Sequence, residues 1–391
     1  MGDKRPAKRI MFYVQHLLGI GHLARALRLT HYLQDAGLAV TLVSGGMPHV
    51  TAHGRGVTLV QLPPVRSADM AFSQLLDENG APIDEVWRER RQGALLQAFN
   101  GFAPDALLIE MFPFGRRQFA FELLPLLKAA KSFRPAPLIL CSVRDIVIPS
   151  DRPGRTEEAI TRVDEFFDYV LVHGDANFIR LEESYPAAAQ LREKIIYTGY
   201  VTAATLHTDA GLAGKDEVTI SAGGGAVGET LLTAAIQARA LSTQAGQHRW
   251  RLLVGGNAPP GQLRILQNKA PQGVVVEAAR PDFPQMLFNC ICSVSQGGYN
   301  TVMDILHAKA ASQTPAVIVP FASDREREQT LRAHALVQAG LAVVLPEKEL
   351  NPASLAGAID QAILQKNMPH HLPDMNGGPV TAAFIREKLN G

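Results

Sequence analysis

The sequence lacks a charge imbalance: 38 lysines and arginines stand against 37 aspartates and glutamates in 391 residues. Without a surplus of either sign, no global field draws the chain to nucleic acid or to an anionic membrane, and contact with either must be local. Long apolar runs are also missing. No stretch approaches the roughly 18 consecutive apolar residues of a membrane span, and Gln15 and His16 interrupt the first apolar run after the basic N-terminus, which predicts no secretory signal. Cysteine is scarce. Cys141, Cys290 and Cys292 cannot all pair and do not stand at metal-ligand spacing, so they read as buried thiols of a reducing, cytoplasmic compartment. No Asp-x-Asp motif occurs, and neither a resident metal nor another cofactor is expected. What remains is globular, 47% hydrophobic and 19% charged, and long enough for two cores.

Both halves alternate short β-branched runs with helical periods, the pattern of parallel sheets covered by helices. In the first half the spacing predicts strands at Arg9 to Val14, Leu38 to Val43, Val57 to Leu62, Ala106 to Glu110, Pro137 to Val143, Tyr169 to His173 and Ile195 to Thr198. In the second it predicts strands beginning at Glu217, Trp250, Gly273, Cys290, Ala316 and Leu341. The expected organisation is therefore an N-terminal domain over 1–201, a linker over 202–215, a second domain over 216–370, and a C-terminal helix over 371–391. Asn351-Pro352 reads as an N-cap followed by proline at the first helical position. Only Pro63 to Ala94 lacks the alternation. It carries Trp87, Arg88, Arg90 and Arg91, and reads either as a functional loop or as an excursion with a solvated arginine face.

Ligands of open parallel sheets bind beyond the carboxyl ends of the strands, so the residues there are the candidates. After the first strand come Gln15, His16, Gly19, Gly21 and His22; later strands end at Glu110, at Arg144 and Asp145, and at His173 and Asp175. These polar ends are expected to face one cleft. His22 opens the first helix from a small glycine loop, where the positive helix end disfavours the imidazolium and keeps the ring able to accept a proton. Glu110 is the candidate carboxylate to orient it. The loop Met111 to Arg117 joins Phe112 and Phe114 to Arg116 and Arg117, a composition suited to a phosphorylated or lipid-linked acceptor. Gly21, Phe114, Arg116, Arg117, Arg144 and Asp145 are the acceptor-side candidates.

The second half has two glycine turns between a strand and a helix. The first is Gly223, Gly224 and Gly225; the second runs Ser295, Gln296, Gly297, Gly298, Tyr299, Asn300, Thr301, with Asp304 about one helical turn along. Backbone amides in such turns approach a diphosphate, and a carboxylate one turn on can accept both hydroxyls of a ribose. Gln329, which both donates and accepts, suits sugar hydroxyls.

With these motifs in this order, the chain resembles the GT-B glycosyltransferases of family 28, whose familiar member is the N-acetylglucosaminyltransferase that completes lipid II. The resemblance implies an α/β fold of two Rossmann-like domains, their parallel sheets facing across a cleft. It also implies a nucleotide-diphosphate sugar, UDP-linked, as donor. Asp304 would hold the ribose, the glycine turns the diphosphate, Arg280 to Phe283 would border the base, and Gln329 would touch the donor sugar. The family usually has glutamate where this chain has Asp304, and a glutamine pair where it has Glu328-Gln329. The expected activity is inverting transfer to an acceptor hydroxyl, lipid-linked or small, in cell-envelope or polysaccharide synthesis, with peripheral contact at the inner membrane face. Two rivals stand beside it. Gly19, Gly21, His22 and Arg25 also resemble UDP-sugar hydrolases of the pseudaminic acid pathway, so a hydrolase or epimerase on the same fold is one; a non-catalytic nucleotide-sugar-binding protein is the other.

Overall fold

A computed structural model of the chain describes residues 7–17, 19–49, 56–69, 74–202, 211–222, 228–256, 258–321, 327–368 and 370–390. The chain divides into two compact units, Met1–Val201 with Asn376–Gly391, and Thr202–Met375. No helix among the described residues is long and apolar enough to cross a membrane.

In unit 1 the elements run β1 (Arg9–Val14), α1 (Gly21–Asp35), β2 (Ala39–Ser44), β3 (Thr58–Gln61), β4 (Arg66–Ser67), β5 (Leu75–Leu76) and α2 (Glu85–Phe102). They continue with β6 (Ala106–Glu110), α3 (Ala120–Ser132), β7 (Leu138–Arg144), α4 (Arg155–Phe166), β8 (Tyr169–His173), α5 (Leu181–Ser184) and β9 (Ile195–Tyr197). Seven strands form one sheet in the order β3-β2-β1-β6-β7-β8-β9, with every pairing parallel. Because helices cover both faces, the central strands are apolar without alternation. Ile10 to Val14 and Ala106 to Ile109 are all at most 1% exposed. The strand order reverses between β1 and β6, the place where such sheets open a crevice at their carboxyl ends.

Unit 2 repeats the plan with β10 (Glu217–Ser221), α6 (Glu229–Ala238), β11 (Arg249–Val254), α7 (Gln262–Lys269), β12 (Val274–Ala278) and α8 (Phe283–Asn289). Then follow β13 (Cys292–Ser295), α9 (Tyr299–Ser312), β14 (Ala316–Ile318), α10 (Glu328–Gln338), β15 (Val343–Val344) and α11 (Pro352–Leu364). Its six strands lie in the order β12-β11-β10-β13-β14-β15, again all parallel. Asn351 caps α11, its side chain accepting from the backbone N–H groups of Ala353 and Ser354 at 3.0 Å each. All three cysteines are free and buried.

The last helix, α12 (Gly377–Asn390), belongs to unit 1. Gly377 and Gly378 open it because nothing larger fits. A Cβ on Gly377 would stand 2.2 Å from the Gly199 carbonyl oxygen, and one on Gly378 would enter the Tyr32 ring at 2.1 Å. Ile385 is fully buried beside α1 residues, and Phe384 meets Tyr169 edge to face at 5.1 Å.

One segment differs from its sequence reading. The stretch after Pro63 is neither an open loop nor a solvated excursion throughout: β4 and β5 make a small hairpin, and α2 starts at Glu85, capped by Asp84. Arg91 turns inward and is fully buried. Its guanidinium donates to both Glu122 carboxylate oxygens at 2.8 and 2.9 Å, to Gln15 Oε1 at 2.6 Å, and to the carbonyls of Gly45 and Pro63 at 2.8 Å each. Tyr13 donates its hydroxyl to Glu122 at 2.6 Å. The guanidinium charge is thus matched and the donors are spent, the condition under which a buried ion pair is tolerable.

Candidate active site

At the β1–β6 switch point of unit 1, two strand ends deliver one ionisable cluster. Gly19 and Gly21 let β1 turn into α1 with an open start: Ile20 at the N-cap position supplies no side-chain hydrogen bond, and the first turn holds no acid. His22 therefore sits at the positive end of the helix and leans over the end of β6. Its Nδ1 lies 2.6 Å from Glu110 Oε1. Arg25, one turn along α1, also donates to Glu110 Oε1. Glu110 is fully buried, and its Oε2 has no hydrogen-bond partner among the described residues.

These neighbours set the protonation states. Burial by itself would raise the Glu110 carboxyl, but His22, Arg25 and Arg116 outweigh it and hold the group down at about 2. Burial lowers His22 to about 4, against a smaller opposing pull from Glu110 and with Arg116 and Arg144 adding to the depression. At neutral pH Glu110 is thus ionised and His22 neutral. An ionised carboxylate only accepts, so the Nδ1 of His22 carries the proton. Its Nε2, with no partner among the described residues, is left with a free lone pair.

Arg116 has a left-handed backbone (φ 57°) that returns its side chain beneath β1, where Nε donates to the Gln15 carbonyl at 2.7 Å. That is its one side-chain hydrogen bond among the described residues, so its terminal nitrogens are uncommitted. His16 donates from Nε2 to the Met47 carbonyl at 3.0 Å, leaving Nδ1 buried and unpartnered. Arg117 reaches the Phe114 carbonyl at 3.3 Å.

Several candidates serve the core instead. Phe114 is 2% exposed and packs edge to face on Tyr185 at 5.3 Å, so it belongs to the hydrophobic interior rather than to an acceptor surface. Asp145 is fully buried, accepting from the Ile146 N–H at 2.9 Å and the Tyr200 hydroxyl at 3.1 Å; it locks the chain after β7. His173 does not face a crevice either. It is fully buried between Ser142 Oγ at 2.8 Å and Thr198 Oγ1 at 2.9 Å, and burial lowers it to about 3. Arg144 ends β7 in register with His173. Sequence reasoning missed Arg25 as a partner of Glu110, although its position three residues after His22 puts both on one helical face.

In unit 2 the switch point falls between β10 and β13, and the turn over Gln296 to Gly298 leaves β13 there. Gly223, Gly224 and Gly225 lie outside the described residues. The second turn is drawn tight. Gln329 Oε1 accepts from the backbone N–H groups of Gly297 and Phe321, at 3.0 Å each, joining the turns after β13 and β14. A Cβ on Gly297 would meet Gln329 at 3.2 Å, so a larger residue there would press the brace outward by a few tenths of an ångström. The oxygen of Gln329 is thus committed to the scaffold; its amide nitrogen has no partner among the described residues. Arg332 donates to the Gly297 carbonyl at 2.7 Å and to Glu328 at 3.0 Å, and its guanidinium lies 5.5 Å from the Tyr299 ring centre. The Tyr299 ring is consequently core, 4% exposed.

Helix α9 begins at Tyr299 with Gly298 as an N-cap that offers no side chain, and with no acid in its first turn. A Cβ on Gly298 would meet nothing within 4 Å. The backbone N–H groups of Asn300 and Thr301 belong to that first turn, and Asp304 lies further along α9, 8% exposed. Ser295, fully buried, bonds its hydroxyl to the Gln296 carbonyl at 3.2 Å. Arg280 is held in a bidentate pair with Asp282 at 2.8 and 2.6 Å, next to Phe283 at the start of α8. Arg280 also pairs with Glu277 at 3.3 Å and lines a hollow with Lys215, Glu217 and Arg251, and no contact with the Ser295 to Gly298 turn is seen among the described residues.

Residues 222–380 match the model of the glycosyltransferase family 28 C-terminal domain. The chain is 26% identical over 357 residues, 87% of its length and 83% of the other's, to the UDP-N-acetylglucosamine--N-acetylmuramyl-(pentapeptide) pyrophosphoryl-undecaprenol N-acetylglucosamine transferase of Mesorhizobium japonicum. It is 32% identical over 97 residues to an uncharacterized glycosyltransferase of Methanopyrus kandleri, and spans about a quarter of that protein's length (26%). Among solved structures, the calicheamicin glycosyltransferase CalG4 superposes with a TM-score of 0.59 over 98% of both chains at 17% identity. The fold is GT-B, residues 222–380 are a glycosyltransferase family 28 C-terminal domain, and the chain is a glycosyltransferase resembling that family.

Proposed function

We propose that the chain transfers a sugar from a UDP-linked donor to an acceptor hydroxyl by one inverting displacement, without a bound metal. The observation that carries this reading is the 2.6 Å contact of His22 Nδ1 with an ionised Glu110, which leaves Nε2 as the base. The acceptor O–H gives its proton to His22 Nε2 as its oxygen bonds to the anomeric carbon. The bond from that carbon to the diphosphate breaks, and its electron pair leaves on the diphosphate oxygen. Glu110 stabilises the imidazolium that forms, while the first-turn backbone amides of α9, at Tyr299, Asn300 and Thr301, take up the leaving charge. Asp304 accepts the ribose hydroxyls, and the Gln329 amide nitrogen donates to the sugar.

The acceptor in this reading carries an anionic group near its hydroxyl. Arg25 and Arg116 outnumber Glu110 in the cluster, and the uncommitted nitrogens of Arg116 suit a phosphate or carboxylate. A pyrophosphoryl lipid, as in the Mesorhizobium relative's name, meets this requirement. The chain would then work in the cytoplasm, in peripheral contact with the inner face of the membrane during envelope or polysaccharide synthesis. The test is UDP release from a panel of UDP-sugars, with and without polyprenyl-phosphate and small phosphorylated acceptors. Acceptor-dependent release with inversion at the anomeric carbon is expected. Equal release without acceptor would replace transfer by hydrolysis.

A further inference from the structure

The loop after β6 sends its two arginines to different places. Arg116 reaches back to the Gln15 carbonyl at the end of β1, whereas Arg117 opens the short turn Arg117–Phe119 that leads into α3 and points toward α4. There it joins Arg155 and Arg162 around one carboxylate, Glu158. Because α4 follows β7, it starts at the carboxyl end of the sheet, and this second group of charges lies at the same end of unit 1 as His22 and Glu110.

The hydrogen bonds show which of the three cations is left over. Arg155 donates to one Glu158 oxygen at 2.8 Å and Arg162 to the other at 2.6 Å. Arg162 also lies over the buried Phe112 ring, 5.7 Å from its centre, a contact that holds the guanidinium in place. Glu158 is therefore spent on these two. Arg117 has no carboxylate partner among the described residues. Its one side-chain hydrogen bond there is the 3.3 Å contact from Nη2 to the Phe114 carbonyl, and its Nε is buried without a partner. Burial weakens its hold on the proton, with Arg155 and Arg162 adding to the effect and Tyr185 and Glu158 opposing it. The other acid in the first turn of α4 is the exposed Glu157.

A guanidinium stays charged at any ordinary pH, and its forked donors fit the paired oxygens of a phosphoryl group. On the transfer reading above, we propose that Arg117, with Arg155 and Arg162, binds a second phosphoryl group of the acceptor. The acceptor would then carry two anionic groups, one at Arg116 toward β1 and one at Arg117 toward α4. A bilayer is the poorer match for this surface. Stable seating on lipid needs apolar side chains to enter it, and among the described residues none of the large exposed apolar side chains falls within 111–167, Phe112 and Phe114 being in the core.

The experiment follows the arginine side-chain resonances of the full nitrogen-labelled chain, with UDP saturating unit 2, as inorganic phosphate is added. Saturable shifts are expected at Arg117, Arg155 and Arg162, and none from sodium chloride at equal ionic strength. Arg117→Gln is expected to weaken phosphate binding, read on Arg155 and Arg162, at least about tenfold, the loss of a hydrogen bond between charged groups. Arg155→Gln, at a side chain 40% exposed, is expected to weaken it with the fold untouched. In UDP-release assays Arg117→Gln is expected to raise the acceptor KM and keep kcat. Silence at Arg117 beside a response at Arg116 overturns this proposal alone; silence at Arg116 overturns the anionic acceptor group proposed above. The proposal is equally overturned if both variants bind phosphate as the wild type does, or if Arg117→Gln leaves the acceptor KM unchanged. Vesicles of phosphatidylglycerol that sediment the wild type but not Arg117→Gln would overturn it too, since the partner would then be a membrane.

Discussion

At the carboxyl end of its sheet, unit 1 gathers ionisable side chains: His22, Arg25, Glu110 and Arg116, with Arg91 and Glu122 beneath them. Unit 2, on the same strand order, builds its turn from Gly297, Gly298 and the neutral Gln329, with the charge of Arg332 and Glu328 placed behind. In the proposed reaction the difference follows from what each unit would do. A base is held in its working form by neighbours that set its ionisation, and buried charges that tune one another serve that end in unit 1. A diphosphate can be held by backbone amides at a helix start, for which small residues and tight spacing suffice.

The comparison is broken most severely at His22. His22→Ala is expected to lower kcat by about 10²–10⁴-fold, the usual range for a general base, with donor KM nearly unchanged. Turnover at the wild-type level in steady-state assays would remove the base from unit 1. Glu110→Gln keeps the shape but no longer favours the imidazolium, so it too lowers kcat.

Arg91 tests whether the ionic network is scaffold as well as chemistry. Arg91→Leu leaves Glu122 buried and unpaired and should destabilise unit 1 by about 3–5 kcal/mol. In urea unfolding, followed with UDP present to mark unit 2, the transition of unit 1 is expected to move and that of unit 2 to stay. Coincident shifts would show that the network is not local to unit 1.

Acid should separate the units in the same way. His22 and His173 have folded values of about 4 and 3, below the ordinary 6.5. The unfolded chain therefore binds more protons than the folded one as pH falls below 6.5, and stability is lost across the window down to about 3. Glu110, held at about 2 against an ordinary 4.5, adds its own loss below 4.5. Unit 1 is expected to unfold first as pH falls, read by circular dichroism and by the amide exchange of each unit.

The sheets were legible because β-branched runs bounded by glycine and polar residues leave few alternatives; the spans at Arg9, Ala106 and Tyr169 agree to the residue. The contact of His22 with Glu110 was legible for a related reason, an imidazole at an otherwise featureless glycine turn beside a strand-end carboxylate. Arg91 was not. The inward face of α2 reads Trp87, Arg91, Leu95, Phe99, and the arginine in its second place breaks the apolar period that marks a buried helix. Phe114 misled in the other direction. Its neighbours Met111 and Arg116 take left-handed backbone conformations (φ 65° and 57°) without being glycine, and nothing in the sequence announces a turn that sends the phenylalanines into the core and leaves the arginines behind. What escaped the sequence is therefore polar residues used as scaffold and apolar ones hidden in what looks like a loop.

Gln329 gives the finest division between the two strategies, because one side chain was expected to serve the ligand and its oxygen is taken by the scaffold while its nitrogen has no partner among the described residues. Its oxygen ties Gly297 to Phe321, so Gln329→Ala strands two backbone N–H groups and should cost about 1–3 kcal/mol where they are left without water. Gln329→Glu keeps an acceptor for both amides but removes the nitrogen donor. If the side chain acts only as a brace, the glutamate variant restores UDP binding and sugar discrimination together, read by calorimetry and by competing UDP-sugars. Where the nitrogen also meets the sugar, UDP affinity recovers while discrimination among sugars does not. Loss of UDP binding in both variants would mean that a charge at this position is as damaging to the amide turn as a gap, which places the limit of the neutral design at a single atom.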